Sequence, residues 1–252
     1  MQAPVKYYLG DGRHAEGIHI ANGQMLNAKH INKFGYTGTA VNGSATIWDG
    51  VAVNGNSIYT YLTTPVTLKV DSDDTPDDGA TYLIEGLDGD YNPVSEEITT
   101  DANTGIGTGT QLFLRVFRAR MTSNGGVNVG NVSITPNDED DDTLLAYIKE
   151  DNGQTLMSIY TVPAGKTAYL IKLHGSVDKA NVDVKFMFFE TPFGGSRNIK
   201  HMSGTQGGNP IDYDYPVPLR FEEKSDLEMR ILTSAVCGAG GIFDLILVDN
   251  PS

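Results

Sequence analysis

The residue spacings here that come nearest to working chemistry are two glycine-rich loops, three histidines and several clusters of carboxylates. Pro163-Ala164-Gly165-Lys166-Thr167 ends like a phosphate-binding loop, whose backbone amides cradle phosphate at the start of a helix. The leading Gly of that motif would stand at position 160, which is Tyr160, and Ala168 to Leu173 reads as a strand. A tight reversal between strands is therefore expected. Gly105-Ile106-Gly107-Thr108-Gly109 resembles a dinucleotide fingerprint but also runs into a strand, Gln111 to Ala119, leaving pyrophosphate no helix dipole to rest on.

His14-Ala15-Glu16 has the His-x-Glu spacing of zinc deaminases without their paired cysteines. His14 and His19 are five apart, one too many for a His-Glu-x-x-His helix, and His30 lies further on. Asp88-Gly89-Asp90-Tyr91-Asn92 sets oxygen ligands at alternate positions, as calcium loops do, so Asp88, Asp90 and Asn92 are candidate calcium ligands. No Gly follows Asn92, however, and Thr99 stands where the bidentate Glu belongs. The run from Asp71 to Gly79 is denser but has no ligand spacing; for both loops a solvated turn is the default, and no metal or cofactor is expected. For catalysis there is no Gly-x-Ser-x-Gly elbow, and the pairs Glu96-Glu97 and Glu222-Glu223 would point to opposite faces of a strand. No catalytic residues are assigned, and the chain reads as a non-enzyme.

The bulk composition narrows the partners. Among 252 residues, 32 are acidic and 18 basic, a net charge of −14, with Lys and Arg mostly spaced singly. A nucleic-acid binder needs clustered cations to displace counterions from phosphate, and an anionic membrane makes a similar demand. Neither partner is expected. The lone Cys237 cannot form an intrachain disulfide and reads as a small buried residue. The first residues lack a signal-peptide pattern, and no apolar run reaches the roughly 18 residues of a membrane span. Synthesis in a cytoplasm is the expectation.

The elements that would position these residues are strands. Val182, Val184, Phe186 and Phe188 alternate with polar neighbours, as do Leu227, Met229 and Ile231, Phe243, Leu245 and Leu247, and Val66, Leu68 and Val70. Such period-two runs between Gly/Asn/Asp turns are half-buried strands. Only Thr143 to Glu150 suggests a short helix. The fold expected is all-β, with two β-sandwich or jelly-roll-like domains: an extended N-terminal arm over 1–44, a first sandwich over 45–137, and a second over 145–252, divided by the acidic run Asp138 to Asp142.

Gly153 to Leu170, Pro216 to Arg230 and Phe243 to Asp249 resemble recurrent segments of tailed-phage virion proteins of the cyanophage and marine-phage type, as do Asn32 to Tyr36, Ile47 to Gly50 and Leu83 to Asp88. The resemblance spans Lys33 to Asp249 and carries no active site. It implies a virion structural protein, most specifically a head-decoration or cement protein on the outer capsid surface. Its partners would be the major capsid protein and further copies of itself, a homotrimer being the expected form. A tail or fibre component is the alternative, with glycan binding through Tyr59, Tyr61, Tyr213 or Tyr215. For subunit contacts, Leu170, Met187 and Phe189 read as outer-face apolar positions that a neighbour would cover.

Overall fold

Alternation along the chain becomes alternation in space. Val184, Phe186 and Phe188 turn inward from one strand while Lys185 between them faces solvent, because successive side chains of a strand point to opposite faces. A computed structural model of the protein describes residues 16–40, 43–50 and 58–251. Strand accounts for 54% and helix for 4%, an all-β sandwich fold.

Helix α1 (Glu16–Ala21) precedes β1 (Ala28–Ala40) and β2 (Gly43–Thr46). Then come β3 (Leu68–Ser72), β4 (Thr81–Leu87), β5 (Pro93–Thr99), β6 (Ile106–Thr108), β7 (Arg115–Met121), β8 (Val132–Pro136) and β9 (Ala146–Ile148). The chain continues through β10 (Ile159–Thr161), β11 (Lys166–Val177), β12 (Val184–Thr191), β13 (Asn198–Thr205), β14 (Ile211–Phe221), β15 (Asp226–Thr233) and β16 (Cys237–Asp249).

One sheet has the order β1-β16-β11-β14 and a second has β10-β15-β12-β13, with β2 also on β15. β2 and β10 lie end to end along the same side of β15, with Thr46 opposite Arg230 and Ile159 opposite Glu228. Between them Met229 bonds to both halves: Ile47 N–H donates to its carbonyl at 3.0 Å, and its own N–H donates to the Ser158 carbonyl at 3.0 Å. β2 and β10 are thus one interrupted strand. Counted so, eight strands form two four-stranded sheets, β1-β16-β11-β14 against (β2, β10)-β15-β12-β13, the order of a jelly roll. Phe186, Phe188, Phe221 and Phe243 fill the space between the sheets.

At the interruption the chain leaves after Ile47 and returns at Ser158, building β3 to β9 in between. These strands form a smaller sandwich, β6-β3-β8-β9 and β5-β4-β7, around its own core of Leu68, Val70, Tyr82, Ile84, Phe113 and Ile134. The C-terminal sandwich therefore takes in residues well before position 145. The segment read as an arm up to residue 44 is, from Ala28 on, a thirteen-residue strand paired along β16. Glycine lets β1 reach the interrupted strand: a Cβ on Gly35 would stand 2.3 Å from the Ile47 carbonyl and 2.4 Å from the Ser158 nitrogen. Residues 1–15 of the expected arm lie outside the described residues.

The helix expected over Thr143 to Glu150 is corrected. β9 occupies its middle and pairs with β8. Leu144 through Ile148 are all buried, so no polar side remains for an amphipathic helix to show to water, and the run behaves as a strand covered on both faces.

Candidate functional site

Both glycine-rich runs have amides that already donate within the protein. Gly165 adopts φ +70°, and its N–H donates to Glu223; Lys166 pairs with Asp249, and Thr167 Oγ1 donates to Asn250 at 2.6 Å. The other run is β6 with its flanks: Gly105 N–H donates to the Asp101 carbonyl at 3.0 Å and Gly109 N–H to the Leu68 carbonyl at 2.8 Å, while Glu96 accepts from Thr110 N and Gln111 N just beyond it at 2.8 and 3.2 Å. At Gly165 a carboxylate stands where a phosphate would have to sit, and in the β6 run the amides are spent on backbone carbonyls.

The acidic loops are likewise consumed by their own backbone. Asp88 Oδ1 accepts from the N–H groups of Asp90 and Asn92, both at 2.9 Å, and from the Asn92 amide. Desolvation, the largest single influence, pushes the Asp88 carboxyl up, but the hydrogen bonds from Asn92 and Asp90 together outweigh it and hold the carboxyl below the usual carboxylate range. Asp88, Asp90 and Asn92 make a turn in which Asn92 is a donor to Asp88. Asp77, nearly fully buried, accepts from Ser72 Oγ at 3.0 Å, Val129 N at 2.9 Å and Gly130 N at 2.9 Å. Asp73 accepts from Asn131 N at 2.6 Å and from its amide at 2.9 Å. Among the described residues no three His, Cys, Asp or Glu side chains come together as a metal site. His14 lies outside the described residues; His30 pairs with Asp244 at 3.0 Å.

The expected contact residues are corrected in part. Leu170 points into the jelly-roll core and is completely buried. Met187 and Phe189 do face outward from the (β2, β10)-β15-β12-β13 sheet, yet the chain covers them itself. The guanidinium groups of Arg230 and Arg197 lie 4.9 and 5.1 Å from the Phe189 ring centre. What stays open on that face are their cross-strand partners on β13, Met202 opposite Met187 and Ile199 opposite Phe189, both more than half exposed. Period-two reading located the face but not the edge strand that carries its exposed part.

The tyrosines divide. Tyr59 is buried edge-on against Trp48 and Tyr61, and its hydroxyl donates to the carbonyls of Val116 and Leu145. Tyr213 and Tyr215 sit at the rim where β13 and β14 meet, packed with His201 at ring distances of 4.8 and 5.9 Å. The Tyr215 hydroxyl lies 2.8 Å from His201 Nδ1, and burial lowers the His201 pKa.

A cleft of about 670 Å³ between the jelly roll and the inserted unit holds one residue that sequence reading missed, Lys33. It lies on β1 with 8% of its surface exposed; its ammonium donates to the Phe117 carbonyl and stands 5.6 Å from the Phe117 ring centre. Burial first, and the Arg118 charge second, lower its pKa to about 7, against a smaller opposing pull from Glu85. The only hint in the sequence is parity. Lys33 shares a strand face with Ile31, Gly35 and Thr37, and only knowing that this face turns inward makes the lysine notable.

No family model and no curated protein matches the chain. Among solved structures it is similar to the infectious bursal disease virus VP2 subviral particle, with 11% identity, 90% of this chain and 77% of that chain covered, and a TM-score of 0.20. The T=1 particles derived from the same virus give 10% identity, 90% and 74% coverage, and a TM-score of 0.19. Superposition this loose does not establish common topology, so nothing about the function of this chain follows from it.

Proposed function

We propose that the protein is a structural component of a tailed-phage virion, a head-decoration or cement protein that binds the outer capsid surface and stabilises the shell. The observation that carries this reading is the jelly roll with a second β unit inserted into its interrupted strand. Jelly rolls serve viral shells, lectins and cupins, and fold alone does not choose among them. The interior chooses against a cupin-like use: phenylalanines fill the space between the sheets where such proteins hold a ligand. Likewise, the carboxylates of the conspicuous loops are spent on turns and buried amides, which suits a scaffold. The phage assignment comes from the sequence resemblance spanning Lys33 to Asp249. An acidic chain of net charge −14 suits the outside of a shell better than contact with packaged DNA. The partners in this proposal are the major capsid protein and further copies of the chain, as a homotrimer.

A tail or fibre station is the second reading, favoured by Tyr213, which is 44% exposed beside His201 at the rim of the jelly roll. Quantitative mass spectrometry of purified virions separates the two. Copy numbers in the hundreds, in simple ratio to the major capsid protein, support decoration. A few to a few dozen copies move the protein to the tail, and absence from the particle overturns both.

A further inference from the structure

The cleft beside Lys33 has a floor that side chains alone do not explain. Asn27 through Phe34 line it without a gap, although side chains of a strand alternate between two faces. Consecutive residues of a strand can all border one cavity when its backbone edge faces that cavity. β1 is the terminal strand of its sheet, paired with β16 on one side and with no strand, among the described residues, running along the other. Across the cleft stand Pro93, Val94 and Ser95, again consecutive, from β5, the terminal strand of the β5-β4-β7 sheet. Among the described residues, two sheet edges without a further strand thus border one cavity, and an open edge offers rows of N–H and C=O groups to any added strand.

The charge around this edge runs against that of the molecule. Lys29, Lys33, Arg118 and Lys166 line the cleft against Glu85 and Asp249, while the whole chain carries −14. Lys33 is the deepest of the four cations, and its ammonium rests on a carbonyl rather than on a carboxylate.

We propose that this cleft receives an extended, acidic segment of a partner polypeptide, which adds as a strand to the free edge of β1 and brings a carboxylate to Lys33. Main-chain bonds to β1 would supply affinity, and charge would supply selection, because an added strand directs every second side chain toward the same wall. The depressed pKa of Lys33 fits a cation buried without its counter-charge. Binding of this kind would occur at whatever station the protein holds, so copy number in a virion does not bear on it.

The test uses the full chain and a synthetic ten-residue peptide alternating Glu and Val, with a Lys-Val peptide as control. The acidic peptide should slow amide hydrogen exchange in residues 29–34, and Lys29→Glu should weaken its binding at least tenfold. Lys33→Met should do the same; because Lys29 is exposed, its variant keeps the test independent of folding. No binding, equal binding of both peptides, or protection confined to another edge such as β13 would overturn the proposal. So would protection of residues 29–34 in the free chain that disappears on removing residues 1–15, since the edge would then belong to the chain's own N-terminus.

Discussion

Arg115, at the start of β7 in the inserted unit, grips Asp226, at the start of β15 in the jelly roll, through two parallel hydrogen bonds of 2.8 and 2.9 Å. The pair is almost fully buried and is braced by further bonds on both sides. Arg115 also donates to the Leu62 and Leu114 carbonyls and lies 5.2 Å from the Tyr61 ring centre, while Asp226 accepts from Thr161 at 2.6 Å. Burial opposes the charge on Arg115, and the facing carboxylate more than offsets it, so the guanidinium pKa is raised. A forked pair of this geometry fixes orientation as well as distance, which an apolar contact between the two units would not.

Removing one partner leaves the other charge buried alone. Arg115→Ala should therefore cost about 3–5 kcal/mol, a fall of about 10 °C in a domain of this size. Replacing both, as Arg115→Met with Asp226→Leu, should cost less than the sum of the single changes. Thermal unfolding of the four proteins in a double-mutant cycle measures the coupling, and simple additivity would show that the pair does not join the units.

Lys33 predicts a stability that rises with pH. Its folded-state pKa, near 7, lies below the ordinary lysine value of 10.5, so between those limits the unfolded chain holds the extra proton. Stability then increases as pH rises from about 7 toward 10.5, and at lower pH the burial cost is felt in full. Lys33→Met keeps the bulk without the charge; it should raise the melting temperature at pH 6 and remove part of the upward slope above pH 7. An unchanged slope would mean that Lys33 finds a counter-charge in the folded protein.

Asp49 predicts the opposite slope. One oxygen accepts from Leu156 N at 3.0 Å, and the other has no hydrogen-bond partner among the described residues. Burial raises its pKa well above the usual value, more than the hydrogen bonds lower it. Its favourable contribution is therefore fully present below about pH 4 and is lost as pH climbs through the raised folded value. Asp49→Asn should stabilise the protein at pH 8 and flatten this part of the profile in guanidinium unfolding. Destabilisation at pH 8 would indicate an ionised Asp49 with a partner.

The strands were legible where one face is buried and the other is not, which writes a period of two into runs such as Phe243 to Leu247. What joins distant strands was not. Nothing local says that Thr46 and Ile159 lie end to end on β15, since that adjacency depends on residues 226–233, far along the chain. The acidic run Asp138 to Asp142 marks exposure, and these residues do form an exposed loop, but one within the inserted unit between β8 and β9 rather than a boundary. Chemistry in the loops was judged from motif departures such as Tyr160 and Thr99. The Lys33 cleft escaped notice because a buried lysine looks, in sequence, like any solvent-facing one.

Phe189 separates a subunit contact from an internal one. As an outer-face residue covered by a neighbour, it would make Phe189→Asp weaken oligomers more than it alters the monomer fold. In the structure the ring is 8% exposed beneath Arg197 and Arg230, and Arg230 is itself held by Glu228 through bonds of 2.6 and 2.7 Å. A carboxylate at 189 would lose the buried ring and compete with Glu228 for Arg230, so Phe189→Asp should destabilise the fold by about 3 kcal/mol or more. Met202→Asp, on the exposed edge strand of the same face, should leave the melting temperature nearly unchanged. If copies of the chain meet on this face, sedimentation will show Met202→Asp dissociating the assembly at full stability. A Phe189→Asp protein that sediments as wild type and melts with it would mean that neither the cation–π cover nor the Glu228–Arg230 pair depends on that ring.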